Sequence, residues 1–376
     1  MNLEEVEVKK ELKIVFMGTP EFSVPILKGL IDNYKIRAIV TQPDRPFGRH
    51  GEMSFSPIKR VGIENTILVL QPEKIKENIE MITSLEPDLI ITCAYGQFLP
   101  KEILNCPRLG CINVHASLLP RLRGGAPIHR AIIEGHRKTG VTIMHMGLGM
   151  DDGDIISQEE IEIDINDTAS TLHDKLSILG RDLLLKTLPS IIDGTSTRTK
   201  QDSSQATLGL TIKREDEKIH FNKTRREIYN LVRGLNSWPG AYCLFGGKIL
   251  KVWECREGEL YNPNLFDGQI TAIYDDGFGV KVSNGEVVFK VNDISKEGLK
   301  SNINNVILTG EGIININKSD MAGKIILNIP VKISTGRLVS TVKSTYRVSY
   351  ALVRYIAARP YAKTVSSSIS VKTERN

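Results

Sequence analysis

Short apolar runs alternate with segments of helical periodicity along the first half of this 376-residue chain. The strand-like runs fall at residues 12–17, 36–40 and 88–92, and apolar residues recur at helical spacing over 21–31 and 75–85 between them. Strands that alternate with helices in this way are typical of βαβ units, in which crossover helices join parallel strands. We therefore expect an α/β fold with a Rossmann-like, mostly parallel sheet.

Two further predicted elements follow these βαβ units along the chain. Residues 154–163 predict an antiparallel strand at the edge of the sheet, and residues 168–192 predict a long amphipathic helix. Thr168 or Asp167 is the expected N-cap of that helix, because either side chain can accept a hydrogen bond from its first turn. The polar stretch that follows, at residues 193–208, is typical of a linker.

Strand-like pieces dominate the chain beyond the linker. Five of them fall between residues 242 and 291, separated by turn signals such as Asn284-Gly285. Five short strands with tight turns predict a small OB-like β-barrel, an architecture that can bind oligonucleotides. The predicted organisation is an α/β domain, a linker, a barrel domain and a basic extension, at residues 1–192, 193–208, 209–318 and 319–376.

The formal net charge of +5 is unevenly distributed along the chain. The tail from Lys324 to Asn376 carries ten basic residues and one acidic residue, a net charge of +9, so the preceding residues carry about −4. A basic terminus favours a polyanionic partner such as a nucleic acid, although basic tails also occur as solubilising extensions. The sequence leaves both interpretations of this tail open.

Cysteine usage and hydropathy limit the class of protein further. The five cysteines are an odd number without a Cys-x-x-Cys pair, which signals neither a disulfide framework nor a zinc site. The acidic residues 1–8 lack the apolar core of a signal peptide, and no run approaches the roughly 18 apolar residues of a transmembrane helix. We expect a cytoplasmic protein with reduced thiols, without a metal and without a membrane partner.

Three polar side chains stand out as candidates for chemistry. Asn113 and His115 are two residues apart after an apolar run, so on an extended strand both side chains point to the same face. In an open parallel sheet, ligands bind at the carboxyl ends of the strands. Asp151 follows some thirty-odd residues later, beside Asp152. An amide, an imidazole and a carboxylate are the groups needed to pass an acyl group to an amine.

Seven short segments of the sequence carry a resemblance to a known family: residues 16–20 (FMGTP), 41–46 (TQPDRP), 113–120 (NVHASLLP), 123–127 (RGGAP), 140–144 (GVTIM), 151–154 (DDGD) and 238–240 (WPG). The motif of an asparagine, a histidine and Ser-Leu-Leu-Pro marks the formyltetrahydrofolate-dependent formyltransferases. The combination with a TQPDRP motif and a second barrel narrows the resemblance to one branch. Over roughly residues 12 to 290, the chain resembles the methionyl-tRNA formyltransferases.

The resemblance implies a reaction and a role for each of the three polar residues. The formyl donor would be 10-formyltetrahydrofolate, and the acceptor would be the α-amine of methionyl initiator tRNA. Asn113 would donate an N–H to the oxyanion of the tetrahedral intermediate, and His115 would stabilise that oxyanion or shuttle the proton of the amine. Asp151 would orient His115 or help to deprotonate the ammonium. Asp152 remains an alternative partner for His115.

The resemblance also implies binding sites and a second possible acceptor, and we expect the protein to be a monomer. Ser117, Leu118, Leu119 and Pro120 would contact the flat pteridine of the folate, and a turn closed by Pro120 is a compatible structural reading. In the long loop from residue 42 to residue 54, Arg45 and Arg49 would contact the acceptor end of the tRNA. The alternative function is a formyltransferase that acts on an amino-sugar nucleotide, which shares the first domain and the WPG motif.

Overall fold

The computed structural model describes residues 12–47, 52–245 and 248–290. The chain is divided into two compact units. Unit 1 comprises Met1–Ala131 and His136–Thr211, and unit 2 comprises Ile132–Gly135 and Ile212–Asn376. The predicted linker, residues 193–208, therefore lies within unit 1. Arg49 and the predicted basic extension at residues 319–376 lie outside the described residues.

A seven-stranded sheet forms the centre of unit 1, in the order β5-β2-β1-β6-β7-β8-β9. The first five of these strands are parallel to one another, and β8 and β9 are antiparallel additions. The prediction of a mostly parallel sheet with an antiparallel edge strand is confirmed. The strands of unit 1 are β1 Ile14–Gly18, β2 Ile36–Val40, β3 Arg45–Phe47, β4 Glu52–Ser54, β5 Val69–Leu70, β6 Leu89–Cys93, β7 Cys111–His115, β8 Lys138–His145 and β9 Ile155–Glu162.

The strands β1 and β6 are buried along their whole length because apolar residues face both sides of the sheet. One of the two faces carries a cluster that includes Val15, Ile90 and Ile103. The α-helices of the described chain are α1 Val24–Asn33, α2 Pro57–Glu64, α3 Ile79–Thr83, α4 Lys101–Leu104, α5 Pro127–Ile133, α6 Ala169–Ile192 and α7 Arg225–Gly234.

Helix α6 begins where the sequence predicts it. The side chain of Thr168 accepts a hydrogen bond from the backbone N–H of Thr171, and the side chain of Thr171 accepts one from the backbone N–H of Thr168. Thr168 is therefore the N-cap, and Asp167 has a different task, since its carboxylate accepts hydrogen bonds from Lys175 and Thr171. The structure thus distinguishes between the two candidate caps.

The long loop between β2 and α2 is partly ordered into a small hairpin. Its two short strands, β3 and β4, pair antiparallel with Arg45 opposite Ser54. The sequence interpretation, a Pro/Gly loop, missed this ladder because neither strand is long enough to show a period of two.

The segment predicted to be a linker is hydrogen-bonded along unit 1. Thr199 pairs with Ile155 at the start of β9 through two backbone bonds of 2.8 and 2.9 Å. Further along, Thr207 accepts from the backbone N–H of Arg123, and its hydroxyl accepts from the N–H of Leu122. A polar composition did not distinguish a flexible connection from an irregular strand that packs against a domain.

Unit 2 is built from antiparallel strands and one helix around its own apolar core. A two-stranded sheet pairs β10 with β11, and a four-stranded sheet has the order β12-β15-β14-β13. The core includes Ile228 and Val232 of α7 with Val280 and Phe289 of the larger sheet. This arrangement is consistent with the predicted small barrel. Its strands are β10 Ala241–Phe245, β11 Lys248–Val252, β12 Cys255–Glu257, β13 Ile270–Tyr274, β14 Gly277–Val282 and β15 Gly285–Lys290.

Within the part of the chain that the structure describes, no helix combines the length and the apolar character needed to cross a membrane. All five cysteines belong to this part, and all are free thiols.

Candidate active site

Asn113 and His115 lie on β7 at the carboxyl edge of the parallel sheet. Strand β7 continues the sheet beyond β6, on the side of β1 opposite to β2 and β5, so the chain reverses its direction of travel across the sheet between β1 and β6. Crevices of open α/β sheets form at such a reversal, outside the carboxyl ends of the strands. His115 is the last residue of β7 and is 6% exposed.

The carboxylate of Asp151 meets both predicted partners. Its Oδ1 lies 3.4 Å from Asn113 Nδ2, and its Oδ2 lies 3.7 Å from His115 Nδ1. The second distance is an electrostatic contact and exceeds a hydrogen bond. The strongest donor to this carboxylate is the backbone N–H of Gly124, at 2.9 Å from Oδ2. The structure therefore brings all three predicted catalytic side chains together, across 38 residues of chain between Asn113 and Asp151.

Asp151, and not Asp152, faces the imidazole. The carboxylate of Asp152 points instead toward the backbone of Gly147 and Gly149, so closely that a methyl group added at either glycine would contact its oxygens. The sequence could not separate these neighbouring carboxylates. Asp151 has a φ of 49°, and its carboxylate is held by the N–H of Gly124 on the side of Asn113 and His115.

The two ring nitrogens of His115 face different oxygen atoms. Nε2 lies 3.0 Å from the carbonyl oxygen of Leu122, and a carbonyl only accepts, so Nε2 carries the proton that is donated there. Nδ1 faces Asp151. The ring is therefore held by its Nε2–H, and Nδ1 is the nitrogen turned toward the carboxylate and Asn113.

Thr92 of β6 fixes the amide of Asn113. Its hydroxyl, in a residue that is 3% exposed, lies 2.8 Å from Asn113 Oδ1 and 3.1 Å from the carbonyl oxygen of Ile112. Because an ionised carboxylate only accepts, the amide presents its Nδ2 group toward Asp151, and its Oδ1 then faces the Thr92 hydroxyl. Sequence reasoning missed Thr92, since a threonine inside a buried strand gives no signal beyond β propensity. The same holds for the backbone of Gly124.

The turn at Ser117–Pro120 is tied into the protein by its own hydrogen bonds. The Ser117 hydroxyl donates to the carbonyl of Arg121 at 2.6 Å, and Thr142 links the carbonyl of Ser117 to the N–H of Leu119. Ser117 and Leu119 are buried, whereas Leu118 and Pro120 keep partly exposed apolar surfaces. The turn expected from Pro120 is present, and only Leu118 and Pro120 of these four residues offer surface to a ligand.

Neighbouring titratable groups are poorly suited to nucleophilic or acid chemistry. Burial raises the pKa of the Cys93 and Cys111 thiols to about 12, so both stay protonated and unreactive near neutral pH. Burial, together with the positive charge of Arg198, lowers the pKa of His145 below its ordinary value. His145 is therefore a neutral imidazole at pH 7, and His115 is the better placed histidine.

The base of the loop from residue 42 to residue 54 is held by an ion pair. The carboxylate of Asp44 pairs with Lys59 and accepts from Gln71 at 2.9 Å. The hydrogen bond from Lys59 is the main reason that the pKa of Asp44 lies below its usual value. Since Asp44 is used internally, the exposed Arg45 beside it is the predicted tRNA-contact residue that the structure places at the surface. Arg49, the other one, is outside the described residues.

Metal-ligating side chains are scattered within residues 12–47, 52–245 and 248–290. No group of three or more His, Cys, Asp or Glu side chains in these residues is arranged to hold a metal ion. The groups that this part of the chain offers at the sheet edge are the amide, the imidazole and the carboxylate.

Comparison with known protein families identifies the chain. The formyl transferase model matches residues 12–188, and the formyl transferase C-terminal domain model matches residues 211–302. The chain belongs to the formyl transferase family. Like other members of that family, it is a formyl-transferring enzyme.

Curated relatives of this formyl transferase resemble it along most of their length. A methionyl-tRNA formyltransferase of Bacillus cereus (strain B4264) is 50% identical over 292 residues, which cover 77% of this chain and 92% of the relative. A methionyl-tRNA formyltransferase of a Geobacillus species (strain WCH70) is 51% identical over 292 residues, covering 77% of this chain and 91% of the relative.

Solved structures share the fold at lower identity. The N-formyltransferase of Helicobacter canadensis, solved with folinic acid and dTDP-3-aminofucose, superposes with a TM-score of 0.57 at 20% identity, over 74% of this chain and 99% of that one. HypX of Aquifex aeolicus, solved with tetrahydrofolic acid, gives a TM-score of 0.54 at 17% identity, over 74% of this chain and 44% of that one. At these identities the likeness establishes the fold.

Proposed function

We propose that this formyl transferase moves the formyl group of 10-formyltetrahydrofolate to the free α-amine of methionyl initiator tRNA, as a cytoplasmic monomer. The observation that carries the choice of acceptor is the identity of about 50% to methionyl-tRNA formyltransferases over more than 90% of their length. The observation that carries the chemistry is the convergence of Asn113, His115 and Asp151 at the sheet edge.

The reaction forms one bond to the formyl carbon and breaks another. The neutral amine attacks that carbon, and the formyl oxygen takes the negative charge of a tetrahedral intermediate. The intermediate then collapses as the bond to the folate nitrogen breaks. The amine loses a proton, and the folate nitrogen gains one. The protein must therefore stabilise an oxyanion and transfer a proton, and these tasks fit an amide and an imidazole.

Asn113 supplies the donor to the oxyanion. Its amide group carries two N–H bonds, of which one is directed to Asp151 at 3.4 Å. The other is available to the formyl oxygen, because Oδ1 of the amide faces the Thr92 hydroxyl instead. A preorganised donor of this kind typically lowers a barrier by about 3–4 kcal/mol.

His115 exchanges the proton through Nδ1. Nε2 is engaged by the carbonyl of Leu122, so Nδ1 is the ring nitrogen that can accept a proton from the amine and pass it on. Asp151, 3.7 Å away, stabilises the imidazolium that forms. The carboxylate is itself held by the N–H of Gly124, which keeps it close to the ring without a direct bond.

Apolar groups at the same edge suit the flat ring of the folate. Leu118 and Pro120 keep exposed surface above β7, and Phe98, in the loop after β6, is 70% exposed. Binding sites for small organic ligands combine such apolar walls with a few placed polar groups. Arg45, the first residue of β3, and Arg49, four residues later in the sequence, are the proposed contacts to the tRNA acceptor end.

A formyl-transfer assay with two acceptors tests the proposal. The purified protein is supplied with 10-formyltetrahydrofolate and either methionyl initiator tRNA or a nucleotide-linked amino sugar. We expect rapid formylation of the tRNA and none of the sugar. Preferential formylation of the sugar would overturn the choice of acceptor, and the absence of transfer to either amine would overturn the proposed reaction.

Replacement of the imidazole tests the chemistry separately. His115→Ala removes the proton-exchanging nitrogen, and we expect turnover to fall below detection while tRNA binding stays within about twofold of the wild type. Since His136 is also a histidine of unit 1, His136→Ala is the matched control and should retain activity. Full activity in His115→Ala would exclude the proposed role of that residue.

A further inference from the structure

The side chain of Gln201 bridges the loop of Asp151 to a neighbouring arginine. Its Nε2 lies 2.8 Å from the carbonyl oxygen of Asp151 and 2.8 Å from that of Gly153. Its Oε1 lies 3.0 Å from Arg123 Nε and 2.8 Å from Arg123 Nη2. Gln201 therefore makes four hydrogen bonds, at 48 or more residues from every partner.

The partners leave only one orientation for this amide. A guanidinium group only donates and a backbone carbonyl only accepts, so Oε1 must face Arg123 and Nε2 must face the loop. A glutamine oxygen between two guanidinium N–H groups is polarised, which strengthens the donors on the other side of the amide. Arg123 thus fixes the orientation of the Gln201 amide and makes its N–H groups stronger donors.

The loop at Asp151 requires support from outside. Asp151 is a non-glycine residue with φ of 49°, in the left-handed region, a strained conformation that persists where surrounding contacts determine it. The Gln201 amide binds the backbone at this strained residue and two residues beyond it, at Asp151 and Gly153. Thr199, two residues before Gln201, is in turn bonded to Ile155 of β9.

We propose that Gln201, anchored by Arg123, is a positioning residue that holds the Asp151 carboxylate against His115 during formyl transfer. The inference rests on the proposed function of Asp151 and adds a residue from the segment after helix α6. The contacts of Gln201 are with Arg123 and with the backbone of the Asp151 loop. Its effect is transmitted through the backbone of the loop, and it should therefore alter kcat more than the KM of either substrate.

Two substitutions test the hydrogen bonds that Gln201 makes with Arg123 and with the two loop carbonyls. Gln201→Glu can still accept from Arg123 but cannot donate to the two carbonyls, and Gln201→Met keeps the length while removing all four bonds. We expect each to lower kcat at least tenfold, with KM values for folate and tRNA within about threefold. Gln205→Met, an exposed site of the same segment, is the matched control and should keep the wild-type kcat.

A double-substitution cycle tests transmission through Asp151. If Gln201 acts by placing that carboxylate, Gln201→Met should change kcat by less than twofold once Asp151→Asn is present, because effects that act through one group are not additive. The proposal would be overturned if the losses of kcat in the two single variants multiply in full in the double variant. It would also be overturned if the kcat of Gln201→Met lies within twofold of the wild type.

Hydrogen exchange gives a readout that needs no activity. The N–H of Gly124, which donates to Asp151 Oδ2, and the N–H of Ile155, which donates to the carbonyl of Thr199, should exchange at least tenfold faster in Gln201→Glu than in the wild type, with unchanged exchange in β6 and β7. Equal exchange in both proteins would overturn the proposal. Failure of the wild-type enzyme to formylate tRNA would instead contradict the proposed acceptor. The kcat values of the variants and of the wild type would then be compared on the amine that the enzyme does formylate.

Discussion

Asp151 combines a strained backbone with the carboxylate that we propose to act in catalysis. Its φ is 49° and its carboxylate faces Asn113 and His115, whereas the adjacent Asp152 faces two glycines of its own loop. Strained positions of this kind concentrate at functional sites, because the surrounding structure must hold them. Here that support comes from the N–H of Gly124 and from Gln201.

Substitution of the two neighbouring aspartates distinguishes their roles. Asp151→Asn preserves an acceptor for Gly124 but removes the charge beside His115, and we expect kcat to fall by at least about 10²-fold, since an amide in place of a histidine-orienting carboxylate is strongly damaging in related constellations. Single-turnover formylation measures the chemical step. Asp152→Asn is the control, expected within threefold of the wild type. An equal loss of kcat in both variants would contradict the assignment of the catalytic role to Asp151 rather than Asp152.

The elements of this protein place side chains by simple local rules. Strand β7 puts Asn113 and His115 on one face because successive side chains alternate, and both meet the same carboxylate as a result. Helix α7 begins with a reciprocal capping box, in which Thr224 accepts from the N–H of Glu227 and Glu227 accepts from the N–H of Thr224. Such caps satisfy N–H groups that a helix start leaves free.

The capping box of α7 predicts a pH dependence of stability. The hydrogen bond from the Thr224 backbone, followed by those from the Thr224 hydroxyl and Lys223, lowers the pKa of Glu227 to about 2. The folded-state pKa is lowered, so the stabilisation is complete above the ordinary glutamate pKa and is lost as the pH falls toward 2. At pH 7 we expect the free energy of unfolding to be higher for the wild type than for Glu227→Gln. The difference should be under about 1 kcal/mol, because the side chain is half exposed.

Tryptophan fluorescence can follow this effect in unit 2, since both tryptophans of the chain, Trp238 and Trp253, belong to it. Denaturant titrations between pH 7 and pH 2 should show the difference between the two proteins shrinking below about pH 5. Glu259→Gln, at an exposed position outside the box, should leave the unfolding free energy within about 0.5 kcal/mol of the wild type. A difference that is constant with pH would contradict the assignment.

At the scale of the whole molecule, the part of the chain that matches the family models differs from the part that carries most of the net positive charge. The family models end at residue 302, whereas the net charge of +9 is concentrated beyond residue 323. The reaction that we propose needs residues of unit 1 only, yet its acceptor is a polyanion. Basic residues outside the catalytic unit can raise the affinity for such an acceptor without touching the chemistry.

Removal of residues 321–376 tests this division. We expect kcat at saturating tRNA to stay within about twofold, the KM for tRNA to rise, and its salt dependence to become less steep, because each lost phosphate contact lowers the slope by roughly 0.7–0.9. A full-length protein with the ten basic residues changed to glutamine should behave like the truncated one. An unchanged KM and salt slope in both variants would indicate a solubilising extension.

Local sequence determined the class of fold, the parallel sheet with its antiparallel edge, the start of helix α6 and the pairing of Asn113 with His115 on one face. These follow from periodicity and capping, which act over a few residues. Tertiary structure decided that Asp151 rather than Asp152 faces the imidazole, and that residues 193–208 support unit 1. These choices depend on contacts between residues 27 to 85 positions apart, which no local pattern encodes.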